Sequence, residues 1–510
     1  MRQMSPSRGP RPPLRTPPSS PNHDHLGNSP RPPSSLVSSA KSVPLVSTLE
    51  VQPELAMSPQ SERKRSTFEV VAEKVASFVQ GPKPSATFGS TVFNLLKNFL
   101  GSSFLSLPDA FKFGSIIPSL IIFSVVAIIA ASTMTLVAVL CHKYGATSYR
   151  GLWSKVVGPR TAPLVDVCIC LNSILSCVSY CLLIGSWLTT GLKDLLGDMF
   201  GHVVMNTVLI AIFALFPLTL LRDLHPLRHT SLIGVLCNIL GVSFMVWQAF
   251  LHWDERIPGR ACGELRKDDR CTSSEVWSAN LFLPSAKMVS TFNMCASMMM
   301  AHYNVPKFYA ELRVQNPYVF GRAVYVAVVL GVILAGSLSL SGVLRFGANM
   351  PDGNILNHFN DQFPGKPAGI MSKTERILTL CTWCIMSFNI MASFPLLFSP
   401  LRVSFLQLRG TTVEALSPLK YVLVTAGLLT VAVVFGLIAP TLTIVTKFKG
   451  AICGMCICYI FPGMLLWTDS QEFRPLGVFV AVIVILAIGS SLSIYGVLGA
   501  IESTIEAFST

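Results

Sequence analysis

FGSTVFNLLKNFLGSSFLSLPDAFKFG, residues 88–114, is an apolar stretch long enough to cross a lipid bilayer, yet it is interrupted by Lys97, by Gly101-Ser102-Ser103 and by Pro108. Interruption at membrane depth frees backbone N–H and C=O groups, which persist in lipid only where they line a cavity or bind something. The stretch therefore predicts a broken spanning helix with a binding site at the break. The alternative is a proline kink packed against neighbouring helices.

The composition around this stretch is that of a membrane protein. Hydrophobic residues make up 51% of the 510 residues and charged residues 13%, against roughly 25% charged in soluble domains. The apolar residues come in blocks of about 20, the length that an α-helix needs to span the hydrocarbon layer. The net charge of +13 lies in the first 87 residues and in the loops, which argues against a nucleic-acid interface.

We predict an all-α polytopic membrane protein with two regions. Residues 1–87 are rich in Pro, Ser and Arg and predict a disordered cytosolic tail without a cleavable signal peptide, in which Phe68–Phe78 form a short interfacial helix. Residues 88–502 form the transmembrane domain. About eleven spans are expected, at 88–112, 116–141, 163–191, 203–221, 229–252, 284–306, 321–344, 376–400, 419–439, 446–467 and 476–499.

The charges of the loops predict the topology, and the topology in turn predicts on which side a pair of loop cysteines lies. The loops HKYGATSYRGLWSKVVGPR, LRDLHPLRH and RVSFLQLRG fall in the cytosol with the tail, in line with the positive-inside bias. Cys262 and Cys271, a pair in a polar loop, then lie outside and are candidates for a disulfide. Cys381 and Cys384 have the spacing of a zinc pattern, but their apolar surroundings favour packing, and neither a metal nor a cofactor is expected.

The stretch NLLKNFLGSSFLSLPDAFKFG resembles the first helix of the amino acid/auxin permease family, above all its proton-coupled and vacuolar branches. Later segments resemble the same family in the same order, over about residues 85–500: PLTLLRDLHPLRHTSLIG, MAHYNVPKFYAEL, LRFG, FPLLFSPLR and YIFPGMLLW. The resemblance implies the five-plus-five inverted repeat of the bacterial leucine transporter, with broken first and sixth helices and an eleventh helix appended. Ser103 stands where the family usually has a second glycine.

Two groups of residues are candidates for the transport site. In broken-helix transporters, half-helix N-termini face the substrate carboxylate and unwound carbonyls take the cation. The first break and the sixth helix, where Ala296 and Ser297 permit a break, supply substrate-binding candidates, although structural interhelical contacts are an equal alternative for the polar ones. The substrate-binding candidates are Gly101, Ser102, Ser103, Phe104, Tyr180, Asn293 and Ser297.

Lys97 is the principal coupling candidate. It lies about nine residues into the span, about 14 Å at 1.5 Å per residue, too deep for easy snorkelling. Sodium-coupled relatives that this chain resembles tend to have Asn at this position, whereas the proton-coupled branch has Lys, so an ammonium here would take the place of sodium. Further coupling candidates are Ser393, His302 and Asp109. Asp109 and Asp166 are candidates either to pair with Lys97 or to carry the proton.

The leading hypothesis is secondary active transport of small neutral amino acids, sodium-independent and proton-coupled, by alternating access. The expected partners are an amino acid, protons and membrane lipid. The alternatives are an amino acid sensor that signals through its tail, a sodium-coupled symporter, and a membrane-embedded enzyme such as an acyltransferase. The enzyme is disfavoured because the histidines are scattered and lack an acidic partner. Plasma and vacuolar or lysosomal membranes both remain open.

Overall fold

The computed structural model of the protein describes residues 86–197, 201–221, 230–251, 281, 288–346, 355–356, 373–470 and 476–509. The predicted tail up to residue 85, its interfacial helix at Phe68–Phe78 and the Cys262 and Cys271 pair lie outside these residues.

Among the helices of the described residues, eleven segments are here called the first to the eleventh span. Eight of them are long and apolar enough to cross a membrane. The first and sixth spans are broken helices and the fourth is shorter. In order, the spans are Phe88–Phe99 with Ser102–Gly114, Ile116–Tyr144, Ala162–Leu196, Val203–Thr219, Thr230–Leu251, Met288–Met298 with Val305–Glu311, Pro317–Phe346, Lys373–Leu408, Pro418–Ile438, Leu442–Asp469 and Leu476–Ser509.

The helix ends follow from local capping. The hydroxyl of Thr87 accepts from the backbone N–H of Ser90 and begins the first span. Ser417 and Thr441 cap the ninth and tenth spans in the same way. Gly145 ends the second span at φ 59°, a left-handed conformation that glycine adopts without the steric cost of a Cβ.

Large apolar side chains face outward along the spans, as expected of a surface that meets lipid instead of water. Examples are Ile128, Phe213, Ile333, Phe388 and Leu423. The chain is therefore an integral, multi-pass membrane protein.

The contacts between spans have the pattern of two repeats. The third span packs along the eighth, and the second along the seventh. The first span contacts the fifth and seventh, while the sixth contacts the tenth and second. Suppose that each span is replaced by the one five places later, with the first span following the tenth. The contacts of the first span with the fifth and seventh then become those of the sixth span with the tenth and second. The fold is thus the predicted five-plus-five repeat, and the eleventh span packs outside it against the sixth and tenth.

Three local predictions differ from the structure. The predicted loop at residues 142–160 contains a helix, Tyr149–Val156, because Ser148 caps it and Leu152 and Trp153 are buried. The predicted loop RVSFLQLRG continues the eighth span to Leu408, since buried Arg402 and Leu406 hold it against the bundle. Pro108 lies inside the helix Ser102–Gly114 and does not interrupt it, so the first span breaks only near Gly101.

Candidate functional site

The break in the first span is at Leu100 and Gly101. Leu100 leaves the helix at φ −82° and ψ 45°, and Gly101 is extended at φ −91° and ψ −155°. The second half then begins at Ser102, and no side chain caps it. The N–H of Phe104 donates to the Gly101 carbonyl at 3.2 Å, while helix geometry leaves the N–H groups of Ser102 and Ser103 without intrahelical acceptors. The positive dipole end is therefore open to an anion.

The sixth span unwinds between Met298 and His302. The helix ends at Met298, and a single turn of 3₁₀-helix, His302–Asn304, leads into Val305–Glu311. The sequence placed this break at Ala296 and Ser297, about one turn earlier. Both of these residues remain helical, and Ser297 lies in the last turn before the break.

Ser103 and Ser297 join the two broken spans. Their hydroxyl oxygens are 2.8 Å apart and both side chains are buried. The ammonium of Lys449, on the tenth span, donates to Ser103 Oγ at 3.2 Å. A second bond between the same halves runs from Thr291 Oγ1 to the carbonyl of Ala110 at 2.8 Å. The second half of the first span is thereby fixed to the first half of the sixth.

Lys97 lies on the other side of the first break, with only 8% of its surface exposed. Its ammonium donates to Oδ1 of Asn389 on the eighth span. Asn389 Nδ2 donates to Asn238 Oδ1 at 3.4 Å, and Asn238 Nδ2 donates to the carbonyl of Leu100 at 3.3 Å. Side chains of the first, fifth and eighth spans thus form one polar chain that ends on a carbonyl freed by the break.

The lysine fits closely against the fifth span. A Cβ added to Gly234 would overlap the end of the Lys97 side chain and Asn389 Oδ1. The absence of a side chain at this glycine is therefore what makes room for the ammonium. Ser393 lies one turn after Asn389, and its hydroxyl donates to the Asn389 carbonyl at 2.6 Å.

Tyr180 lies beside the first break. A Cβ on Gly101 would be 3.5 Å from the Tyr180 hydroxyl, an ordinary van der Waals contact. The Tyr180 ring lies 6.4 Å from that of Phe394 on the eighth span. Ser102 and Phe104 are buried in the first turn after the break. The structure therefore places Gly101, Ser102, Ser103 and Phe104 at the first break, with Tyr180 beside Gly101 and Ser297 bonded to Ser103.

Three other candidates lie apart from this group. Asn293 packs with its backbone against Gly450 and its amide against Gly496, away from the breaks. His302 is bonded through Nε2 to Thr133 Oγ1 of the second span at 2.8 Å. Asp109 accepts from Thr443 of the tenth span.

The two carboxylates considered as partners of Lys97 bond to other groups. Thr443 donates to Asp109, and Asp166 forms an ion pair with Arg150. The Lys97 ammonium instead donates to an uncharged amide oxygen, that of Asn389.

The sequence reasoning missed Lys449, Asn238 and Gly234. Lys449 carried the same signal as Lys97, a charge within an apolar block, but the predicted tenth span began at residue 446 and placed this lysine at its end. The tenth span begins at Leu442, so Lys449 lies two turns inside. Asn238 is a polar residue within an apolar span and was equally visible.

The fold and the two breaks define a class, the transporters with a repeat of five spans whose first and sixth helices are discontinuous. A solved structure of this class, MhsT in complex with L-phenylalanine, superposes with a TM-score of 0.52 and 13% sequence identity, covering 82% of this chain and 100% of that one.

The model of the family "Transmembrane amino acid transporter protein" matches residues 84–502, and the chain belongs to this family. It is similar to amino acid transporter AVT6A of Arabidopsis thaliana, with 25% identity over 80% of this chain and 88% of that protein. It is similar to vacuolar amino acid transporter 2 of Saccharomyces cerevisiae, with 23% identity over 75% of this chain and 77% of that protein. Mouse solute carrier family 38 member 8 is 27% identical over 33% of this chain and 43% of its own length. The protein is therefore a membrane transporter of the amino acid transporter family and not an enzyme.

Proposed function

We propose that this protein is a secondary active transporter of small neutral amino acids that works without sodium and is coupled to protons. The observation that carries the proposal is the bond between the Lys97 ammonium and Asn389, which joins the first and eighth spans beside the break. Sodium bound by the carbonyls of this break would need the same space. The Lys97 ammonium would hold the first span against the eighth in place of a sodium ion, so transport would not require sodium.

The groups around the break support a neutral substrate of modest size. The open helix end at Ser102 suits a carboxylate. The Tyr180 hydroxyl lies beside Gly101, and the Phe394 ring packs against that of Tyr180. A Cβ added to Gly101 would already contact the Tyr180 hydroxyl, so the space between this glycine and Tyr180 favours a small substrate. Alternating access would proceed around the two breaks. The N-terminus would lie on the cytosolic side of a plasma, vacuolar or lysosomal membrane.

The test is uptake by the purified protein in liposomes, with proton and sodium gradients applied separately to a panel of amino acids. Replacing external sodium by choline should leave uptake unchanged, and an inwardly directed proton gradient should drive accumulation. Sodium-dependent uptake would contradict the proposal. Binding without accumulation would instead indicate a sensor.

The same uptake measurement on Lys97→Ala tests the role of this lysine. The substitution removes the donor to Asn389 and should lower uptake by about tenfold or more, equivalent to about 1.4 kcal/mol. A lysine that merely snorkelled to the membrane surface would tolerate this change with little loss. Thermal unfolding of the variant separates loss of transport from loss of folding.

A further inference from the structure

A second buried ammonium lies at the first break. Lys449 has 8% of its surface exposed, and Ser103 Oγ accepts its hydrogen bond. Among the described residues, ion pairs join Lys143 to Asp469 and Arg150 to Asp166, and neither includes Lys449. A buried charge without a counter-charge is strongly unfavourable. Such a charge is therefore expected to meet an anion at some stage of the transport cycle.

The winding of the tenth span directs this lysine to the break. The helix changes to π-helical geometry at Lys449 and keeps it through Gly454. π-Helical turns within α-helices are rare overall, and those that occur are often found at functional sites. Gly450 lets this turn approach the sixth span closely, because a Cβ there would overlap the carbonyl of Asn293. The local geometry thus places the Lys449 ammonium on Ser103.

A lysine two residues earlier has a different environment. Lys447 is 5% exposed, and its ammonium donates to Ser503 Oγ of the eleventh span at 2.9 Å. It has the same charge, the same helix and similar burial, but it faces away from Ser103. Lys447 is therefore a matched control for Lys449.

The start of the second half-helix, next to the Ser103 that Lys449 contacts, offers further donors. Ser102, at the start of the second half-helix, is 2% exposed and its hydroxyl has no hydrogen-bond partner among the described residues. The half-helix itself has no side-chain cap. An ammonium, an unpartnered hydroxyl and an open helix N-terminus together match the acceptor oxygens of a carboxylate.

We propose that Lys449 binds the carboxylate of the transported amino acid, exchanging its bond to Ser103 for the substrate oxygens. This inference rests on the proposed transport function and deepens it. It adds a residue of the tenth span to a site built otherwise on the broken spans. The bond between Ser103 and Ser297 would then hold the ammonium in position while the site is empty.

The test compares binding of L-alanine and L-leucine with binding of their carboxamides, which keep the side chain and the amino group but lack the negative charge. The purified full-length protein should prefer the acid to the amide. Lys449→Met should reduce this preference by about tenfold, equivalent to about 1.4 kcal/mol. Lys449→Arg keeps the charge and should retain most of the preference, and Lys447→Met should leave it as in the wild type.

The outcomes separate the two proposals. An unchanged acid-to-amide ratio in folded Lys449→Met would overturn the role of Lys449 while leaving neutral amino acid transport intact. If Lys449→Met unfolds, Lys449→Gln removes the charge in its place, and an unchanged acid-to-amide ratio in folded Lys449→Gln would overturn the role of Lys449 equally. A wild type that binds neither alanine nor leucine would instead reject the proposed function, on which this inference rests.

Discussion

At the scale of single residues, the first break is organised by the direction of its hydrogen bonds. Lys97 has donors only, so it fixes the Asn389 oxygen toward itself and leaves the Asn389 amide to donate to Asn238. Asn238 in turn donates to the carbonyl of Leu100. Each bond orients the next, and buried chains of this kind strengthen cooperatively. The Leu100 carbonyl, which the break frees, thus accepts a hydrogen bond from protein, and the opposite helix end is where we propose that substrate binds.

Gly101 illustrates how the structure refines a residue-level prediction. Its φ of −91° is accessible to any L-residue, so the break itself does not demand glycine. What limits the position is the space in front of the Tyr180 hydroxyl.

Gly101→Ala should therefore keep uptake within about threefold of the wild type, since a Cβ makes only van der Waals contact with Tyr180. Gly101→Leu should reduce uptake by more than about tenfold, because its longer side chain fills the substrate space. Liposome uptake measures both, and thermal unfolding should be similar for the two variants. Unchanged affinity in Gly101→Leu would place the substrate elsewhere.

At the scale of elements, the half-helices are tied in pairs. Asn304 Nδ2 donates to Asn98 Oδ1 at 3.0 Å, and the backbone of Ala86 pairs with Glu311 and Arg313 around Leu312, with both N–H···O distances at 2.9 Å. The first half of the first span is thus bound to the second half of the sixth. Ser103 and Ser297 bind the two remaining halves. We expect each pair to move as a unit when the site opens to one side or the other.

The sequence predicted most of the elements because apolar blocks of spanning length leave few alternatives in lipid. It also predicted the first break, where Gly101 interrupts the block. The sixth break was placed a turn too early because the unwound residues include Met299 and Met300, which carry no glycine or proline signal. The contacts of Asn293 depend on glycines of distant spans, Gly450 and Gly496, and local sequence does not contain that information.

The close contact of the tenth span with the sixth leads to a prediction about stability. Gly450→Ala places a Cβ onto the Asn293 carbonyl and forces the helices apart, so it should destabilise the protein by about 1–3 kcal/mol. Gly427→Ala, in the ninth span with no atom within 4 Å of the added Cβ, is the control and should not destabilise. Thermal unfolding in detergent compares them. Equal stability of the two variants would contradict this packing of the tenth span on the sixth.

At the scale of the whole molecule, the two repeats account for ten of the eleven described spans, and the candidate site lies where the first and sixth spans meet. The polar bonds that organise it come from the first, fifth, sixth, eighth and tenth spans, which belong to both repeats. The eleventh span, outside the repeats, takes part in none of these bonds. The transport machinery is therefore expected to reside entirely within the family-matched region, residues 84–502.

The N-terminal residues provide the test of that expectation. Their Pro-, Ser- and Arg-rich composition offers no apolar surface that the spans would need for folding. Among the described residues, the backbone bonds that begin the transmembrane region include those of Ala86 with Glu311 and Arg313. A protein lacking residues 1–60 should therefore insert, unfold at a temperature near that of the full chain, and keep most of its uptake in liposomes. If the truncated protein inserts and folds but fails to transport, the tail takes part in gating. In that case the transport machinery extends beyond the two repeats.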